Sequence, residues 1–208
     1  MDGNNRWAKK NKLSKYDAYK AGADNLIKLS EYLFSSSELK YISSFALSTN
    51  NLKRSKTILD PIFKVLKNYL NEIDQNQYKF RFDINFIGNF EFLETKLKNK
   101  IVSLNKKNKF NKKLILYINY GGREDIESAS ISFSKSNSQF TPHLLTNNLP
   151  DPDLLIRTGG FSRISNFFLY QIAFTELFFV KKLWPDLKKA DINKIILKYR
   201  NTERKFGK

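Results

Sequence analysis

Apolar residues recur at helical spacing in several segments of the chain. In residues 18–34, for example, Leu26, Leu29 and Leu33 fall on one side, which predicts a helix that buries one face. Residues 58–73 repeat this spacing, and Pro61 falls near the first turn, where a helix tolerates proline. Further helices are predicted over residues 90–104, 123–134 and 191–206.

Short apolar runs between these helices predict β-strands. The predicted strands cover residues 41–47, 80–87, 114–119, 154–156 and 177–180. Alternation of strands and helices is typical of a parallel sheet covered by helices on both faces. We therefore predict an α/β fold with a mainly parallel central sheet, formed as a single domain by residues 1–208. Ligands of such sheets bind at the carboxyl ends of the strands.

The composition excludes several classes of protein and site. A chain of 208 residues that is 41% apolar is long enough for one substantial core. It has no run of eighteen apolar residues and no secretory leader, so we expect a cytoplasmic protein. It has no cysteine, which excludes disulfides and thiolate metal sites, and leaves oxygen atoms or the single histidine, His143, as metal ligands.

The net charge of +17 raises the possibility of nucleic-acid binding. The lysines, however, accompany an excess of Asn, Ile, Phe and Tyr, and AT-rich coding alone explains that combination. No recognition-helix, zinc-finger or RNA-binding strand pattern accompanies the charge. We therefore expect no nucleic-acid partner. A basic surface suits diphosphate substrates or an anionic membrane equally well.

The first polar motif is Asp2-Gly3-Asn4-Asn5-Arg6-Trp7, in which a carboxylate and a glycine precede a polar turn and a cation. Such a turn could hold a phosphate on free backbone N–H groups, with the carboxylate as a ligand for Mg²⁺. A disordered amino terminus would explain the pattern equally well.

The second motif is the run from Leu149 to Gly160, followed by Arg163, Ser165 and Asn166. A proline-containing turn leads into a strand that ends in Arg157, and two glycines follow it. Two arginines and a hydroxyl near a glycine turn can bind a diphosphate through paired guanidinium contacts. A surface loop held by salt bridges is an equally good interpretation of these residues alone.

Taken together, the motifs resemble the cis-prenyltransferases, specifically the bacterial undecaprenyl diphosphate synthases. The most specific matches are the Pro-Asp-Pro-Asp-Leu-Leu-Ile-Arg-Thr-Gly-Gly run and Asn-Tyr-Gly-Gly-Arg at residues 119–123. Other matching segments cover residues 1–10, 20–22, 48–54, 171–179, 183–186 and 203–207. The resemblance extends over almost the whole chain and implies that family's fold.

The resemblance also implies an activity and partners. It implies Mg²⁺-dependent prenyl transfer from an allylic diphosphate, such as farnesyl diphosphate, to successive isopentenyl diphosphates with Z geometry. The expected product is a polyprenyl diphosphate, with undecaprenyl diphosphate for the cell-wall carrier lipid as the specific expectation. A homodimer and peripheral contact with the inner face of the membrane are implied as well. A catalytically impaired or scaffold-type member of the family is the alternative.

Site residues follow from the resemblance, position by position. Asp2 and Asn51 are implied as catalytic, and Asp2 and Glu176 as metal-binding. The implied substrate-binding residues are Gly3, Asn4, Arg6, Trp7, Lys15, Tyr19, Ser48, Thr49, Asn50, Leu52, Arg54, Arg157, Arg163 and Ser165. Among these, Arg157, Arg163 and Ser165 would hold the diphosphate of isopentenyl diphosphate. Residues 58–70, 45–47 and 82–87 could line a tunnel for the growing chain, although ordinary core packing also explains them.

The sequence departs from the family pattern at several positions. Asn5 stands where the family has a second glycine, Tyr19 where it has histidine, and Phe161 and Ser162 differ from the usual residues of the second loop. The family also carries an apolar strand before the Asp-Gly-Asn motif. The sequence begins at the motif's own methionine, so we expect the first strand to be missing, with a misassigned start codon as the simplest explanation.

Overall fold

Residues 1–76 and 80–203, which the computed structural model describes, form alternating helices and strands. The helices are α1 (Asn4–Asn11), α2 (Lys15–Ser36), α3 (Lys56–Asn76), α4 (Thr95–Asn105), α5 (Gly122–Phe133) and α6 (Lys189–Arg200). The strands are β1 (Tyr41–Ser48), β2 (Asp83–Ile87), β3 (Lys113–Tyr120), β4 (Leu154–Arg157) and β5 (Glu176–Phe179). The α/β class predicted from the alternating pattern is confirmed.

Most differences from the sequence prediction lie at the ends of elements. Helix α4 begins at Thr95 rather than at residue 90, because Leu93 N–H bonds back to the carbonyl of Phe90 in a turn. Helix α6 ends at Arg200, and residues 204–206 of its predicted range lie outside the described residues. Helix α1 was absent from the predicted elements, since its charged sequence has no buried stripe apart from Ala8.

The strands divide into two parallel sheets rather than one. Strand β3 lies between β1 and β2, and β4 pairs with β5, with all pairings parallel. One edge of β1 pairs with β3, and one edge of β4 pairs with β5. Within the described residues the other edge of each of these two strands pairs with no strand. Both of these unpaired edges belong to strands that carry the polar motifs at their carboxyl ends.

Strand β3 separates two parts of the core. Leu114 and Ile118 point into a large cluster with α2, α3 and α4, whereas Tyr117 points into an aromatic cluster on the opposite face. The ring of Tyr117 packs edge-on against Phe167 and Phe168 at 5.3 and 5.0 Å. Burial on both faces is expected of a central parallel strand. This burial holds β3 in place, and the polar motifs lie at the carboxyl end of the sheet.

The segment around Trp184 attaches the amino-terminal motif to α2. Its indole N–H donates to the carbonyl of Gly22 at 2.7 Å, and its backbone N–H donates to the carbonyl of Asp2 at 3.0 Å. Asn25 donates to the backbone of the same segment, at Trp184 and Leu187. Among the helices of the described residues, none is both long and apolar enough to cross a membrane.

Candidate functional site

A cavity of about 960 Å³ lies where the carboxyl ends of β1 and β4 meet the amino-terminal end of α1. Its walls continue along both strands, from Ser48 back to Tyr41 and from Thr158 back to Leu154. Charged side chains, including Asp2, Arg6, Arg54 and Arg157, line the part of the cavity that we call its mouth, and apolar side chains of α2 and α3 line another part. The strand ends thus converge where the fold class predicts a ligand.

Asp2 is held in place by backbone contacts with two distant segments. Its N–H donates to Thr158 Oγ1 at 3.0 Å, and its carbonyl accepts from Thr158 Oγ1 and from Trp184 N–H, each at 3.0 Å. These contacts hold Asp2 in the lining of the cavity. Burial lowers the pKa of the adjacent Met1 amino group to about 6, against an opposing influence of Asp2.

The Asp2 carboxylate faces two guanidinium groups. Its Oδ2 lies 3.0 Å from Arg157 Nη2, and its Oδ1 lies 3.5 Å from Arg6 Nη2. The Arg157 side chain is only 13% exposed, so this ion pair is better shielded from water than a surface pair. An anionic ligand that enters here would compete with Asp2 for the same N–H donors.

Two glycines allow the backbone and these side chains to come close. Gly3 caps α1 with φ 109°, and Gly159 has φ 89°, a region that L-residues with side chains rarely adopt. A Cβ atom on Gly159 would lie 2.6 Å from Arg6 Nη2. No side chain caps α1, which leaves its first N–H groups available to an anion.

Arg157 also organises the loop that follows β4. Its Nη1 donates to Ser165 Oγ at 2.6 Å and to the carbonyl of Arg163. Ser165 and Asn166 both have left-handed backbone conformations, with φ of 53° and 58°. The loop therefore folds back over Arg157 and brings the two arginines and the hydroxyl together, as the second motif predicted.

Glu124, near the start of α5, joins the two sides of the cavity mouth. Its carboxylate accepts from Thr49 Oγ1 at 2.7 Å and from Asn166 Nδ2 at 2.8 Å. Burial alone would raise the pKa of Glu124, but these two hydrogen bonds hold it below its ordinary value. Sequence reasoning missed this residue. Its position directly after the Asn-Tyr-Gly-Gly-Arg segment is the signal that could have identified it.

The turn after β1 is closed by a reciprocal pair of hydrogen bonds. Ser48 Oγ accepts from Asn51 N–H at 3.1 Å, and Asn51 Oδ1 accepts from Ser48 N–H at 3.4 Å. Asn51 also lines the cavity, and its side-chain NH₂ group takes no part in that pair. Burial raises the pKa of Tyr19 nearby, against opposing effects of Arg54 and a hydrogen bond with Asn5.

Comparison with known proteins decides the family. A family model described as "Putative undecaprenyl diphosphate synthase" matches residues 1–207. The chain belongs to the undecaprenyl diphosphate synthase family. Membership confirms the resemblance drawn from the motifs, and with it the prediction of a transferase enzyme that elongates cis-prenyl chains.

Individual relatives of the synthase family agree over the full length of the chain. An isoprenyl transferase of Rickettsia sibirica is 38% identical over 100% of this chain and 95% of the relative. One from Fusobacterium nucleatum is 37% identical over 100% of this chain and 93% of the relative. Among solved structures, lavandulyl diphosphate synthase of Lavandula x intermedia, in complex with dimethylallyl diphosphate, has a TM-score of 0.88 at 31% identity. The match covers 100% of this chain and 95% of that structure. A probable undecaprenyl diphosphate synthase of Campylobacter jejuni has a TM-score of 0.78 at 33% identity, covering 90% and 92%.

Ten of the residues predicted for a synthase site line one cavity. They are Asp2, Gly3, Asn4, Arg6, Tyr19, Ser48, Asn51, Arg54, Arg157 and Ser165. The predicted residues outside its lining are Trp7, Lys15, Thr49, Asn50, Leu52, Arg163 and Glu176. Trp7 instead donates to Asp186 at 2.7 Å, Lys15 donates to the carbonyl of Thr57 at 3.3 Å, and Leu52 packs against the core.

The two predicted metal ligands of the synthase are not brought together within one chain. Glu176 pairs with Leu154 at the start of β4, whereas Asp2 bonds to Thr158, four residues further along the chain. Four residues of extended strand span about 13 Å, so Glu176 and Asp2 lie about that far apart along β4. No group of three or more His, Asp or Glu side chains suited to a metal occurs in the described ranges 1–76 and 80–203. One carboxylate at a diphosphate site nevertheless suits Mg²⁺, which commonly binds one or two carboxylates together with phosphate oxygens and water.

The apolar interior of the cavity differs in part from the expected tunnel of a synthase. Ile58 and Ile62 of α3 and Phe45 of β1 line it, as expected. The β2 segment does not: Ile84 and Phe86 are instead buried in the main core. Helix α2 also contributes to the apolar lining, chiefly through Leu26, Leu29 and Leu33.

Proposed function

We propose that this chain transfers the prenyl group of an allylic diphosphate, farnesyl diphosphate in the first cycle, onto isopentenyl diphosphate with Z geometry and releases the allylic diphosphate group as inorganic pyrophosphate. Repeated cycles would give a long polyprenyl diphosphate, with undecaprenyl diphosphate as the proposed product. The observation that supports this best is the Asp2 carboxylate between Arg6 and Arg157, with one guanidinium on each side of the cavity mouth. Such an arrangement offers two adjacent sites for diphosphates and one carboxylate between them.

The allylic diphosphate would occupy the side formed by α1. The free N–H groups at the start of that helix, together with Arg6 and Arg54, provide donors for its oxygens. Breaking the allylic C–O bond leaves both bonding electrons on the departing diphosphate, so donors fixed in advance lower the barrier. Asp2 would hold Mg²⁺, which when bound neutralises part of that developing charge.

Isopentenyl diphosphate would occupy the other side. Arg157 and Ser165, with Arg163 from the same loop, would hold its diphosphate and place its double bond next to the allylic carbon. The double bond then forms the new C–C bond, and a proton leaves the isopentenyl unit. Arg157 must exchange Asp2 for phosphate oxygens when this substrate binds, since Asp2 shares its donors.

The purified chain should incorporate labelled isopentenyl units into long Z-prenyl products when supplied with farnesyl diphosphate and Mg²⁺. A chelator should stop incorporation, and Arg54→Ala should raise KM for the allylic substrate about tenfold or more, because one fixed phosphate contact is lost. Lys10→Ala is the control, since Lys10 lies exposed in the last turn of α1. Product length would be read by mass spectrometry.

A folded chain that binds both diphosphates but gives no product would contradict this proposal. That result would favour the alternative, an impaired or scaffold-type family member. Retention of Asp2 and Arg157 in direct contact argues against the alternative, because a scaffold has no need of this ion pair.

We also propose that the chain forms a cytoplasmic homodimer through an exposed aromatic surface. Phe133 and Tyr170 both pack against Phe140, with ring centroids 5.8 and 5.4 Å apart, and nearby Phe174 is 65% exposed. An apolar surface of this kind commonly marks a contact with another molecule. A peripheral contact with an anionic membrane is the second proposed role for the same basic, aromatic-rich protein.

Phe174→Lys should convert the dimer to a monomer in analytical ultracentrifugation, because a charge would be buried at an apolar contact. Leu197→Lys is the matched control, since Leu197 is 61% exposed on α6. An unchanged dimer would contradict the assignment of this surface. Loss of binding to anionic vesicles without a change in mass would assign the surface to the membrane instead.

A further inference from the structure

Phe161 contacts the guanidinium groups of three arginines at the cavity mouth. Its ring centroid lies 4.1 Å from Arg163 Cζ, 4.9 Å from Arg6 Cζ and 5.7 Å from Arg157 Cζ. All three distances are within the range of a cation–π interaction. No other aromatic ring in the described part of the chain has three such contacts.

The ring is presented by a fixed turn. Gly159 N–H donates to the carbonyl of Lys182 at 2.7 Å, and Gly160 N–H donates to the carbonyl of Val180 at 2.9 Å. Both glycines have positive φ, which turns the chain sharply before residue 161. The ring therefore stands on a turn bonded to the segment after β5, although 37% of Phe161 is exposed.

The three arginines repel one another, and a single carboxylate does not balance them. Asp2 pairs with Arg157 and Arg6, whereas Arg163 stacks on the ring and lies outside the cavity lining. An aromatic face attracts each cation through its quadrupole without adding a negative charge. The ring can therefore hold three cations close together.

Contact through the ring face also takes up none of the guanidinium N–H groups. A carboxylate partner takes up the N–H edge of arginine, the same edge that binds phosphate oxygens. An aromatic partner covers the flat face instead. Contact with Phe161 thus uses none of the arginine N–H donors, and an incoming diphosphate competes only with the partners already described, chiefly Asp2 for Arg6 and Arg157.

We infer that Phe161 is a positioning residue that orients Arg6, Arg157 and Arg163 for diphosphate binding at both subsites of the cavity mouth. The inference rests on the proposed function, which assigns Arg6 to the allylic diphosphate and the other two arginines to isopentenyl diphosphate. Because one ring contacts arginines of both subsites, a substitution of Phe161 should change the affinity for both substrates.

Binding of inorganic pyrophosphate, measured by calorimetry, tests the inference without turnover. Phe161→Leu should weaken binding about five- to tenfold, because it keeps an apolar side chain but removes the ring. Phe161→Tyr and Phe161→Trp should bind within about twofold of the parent. In the transfer reaction, Phe161→Leu should raise KM for both substrates more than it lowers kcat, and Phe161→Tyr should restore both.

Phe110→Leu is the matched control. Phe110 also lies under a cation, with Lys109 Nζ 5.6 Å from its ring centroid, but it precedes β3 at the opposite end of the sheet. The Phe110→Leu substitution should leave the affinity for pyrophosphate unchanged. Equal affinities for Phe161→Leu and the parent protein would overturn the inference, as would equal losses in the leucine and tyrosine variants.

An isosteric replacement separates shape from charge distribution. Pentafluorophenylalanine at position 161 keeps the ring but reverses its quadrupole, so it should weaken pyrophosphate binding as leucine does. Unchanged binding with the fluorinated ring would overturn the inference even if Phe161→Leu failed to fold. Because pyrophosphate binding needs no transfer step, weak binding in Phe161→Leu would support the inference even in a chain that makes no product.

Discussion

Replacing Asp2 by alanine should reduce prenyl transfer by at least about 10³-fold while leaving the fold intact. Its carboxylate is the acidic group in contact with the arginines of the cavity mouth, and it is the proposed ligand for Mg²⁺. The backbone contacts with Thr158 and Trp184 remain in the variant, so the segment stays attached. Initial rates over a range of Mg²⁺ concentrations, together with a melting curve, would measure both effects.

Asp24→Ala provides a matched control for Asp2→Ala. Both aspartates form an ion pair with a cation four residues away, Asp2 with Arg6 and Asp24 with Lys20, but Asp24 lies on α2 outside the cavity. Asp24→Ala should therefore keep its turnover. Unchanged turnover in Asp2→Ala would exclude Asp2 as the metal carboxylate, and a large drop in its melting temperature would assign Asp2 a structural role.

Asp2 pairs with both Arg157 and Arg6 at the point where two anions are proposed to bind. A diphosphate on either side would replace one of those pairs, and the carboxylate would then offer an oxygen atom to Mg²⁺. Substrate binding and metal binding would therefore strengthen each other, as expected when one carboxylate changes partners.

Local sequence pattern predicted the fold well where an element's own residues determine it. Strand β3 is an apolar run buried on both faces, and α2 carries a clear apolar stripe, so both were found. The division into two sheets was not predicted. It depends on which strand edges pair, and an apolar run such as β4 carries no information about its neighbours.

Prediction of the site relied on residues within recognisable motifs. Arg157 and Ser165 lie in one motif and do contact each other. Glu124 was missed because its partners, Thr49 and Asn166, are distant in sequence and meet only through the fold. The role inferred for Phe161 could not be predicted for the same reason, since its ring contacts arginines from two segments that are distant in sequence.

The unpaired edges of β1 and β4 face each other across the cavity. Residues 37–46 and 149–158 line it without interruption, which leaves backbone N–H and C=O groups of both strands directed into the space. A prenyl chain cannot form hydrogen bonds with these backbone N–H and C=O groups, whereas an extended peptide can. The apolar wall near Ile58 and Ile62 suits a prenyl chain better.

Met1 lies at the site where a strand in this space would join the chain. Its sulfur is 3.1 Å from Ser44 Oγ in β1, and Asp2 bonds to Thr158 just beyond β4. A segment added before Met1 could therefore run parallel to both strands. The addition would also replace the buried amino group of Met1, whose pKa burial lowers to about 6, with an uncharged amide.

An added segment of about six β-branched apolar residues should raise the melting temperature by roughly 6–12 °C, corresponding to about 3 kcal/mol for a chain of this size. New hydrogen bonds to both strands and burial of apolar side chains would exceed the entropy lost on ordering the segment. The extension should also raise turnover, because Asp2 would then be held from both of its sides. A Gly-Ser segment of equal length, which has little tendency to form a strand, is the control and should change neither property. Equal melting temperatures for the apolar and Gly-Ser extensions would show that the space between β1 and β4 does not accept a strand, and would leave the whole cavity available to the prenyl chain.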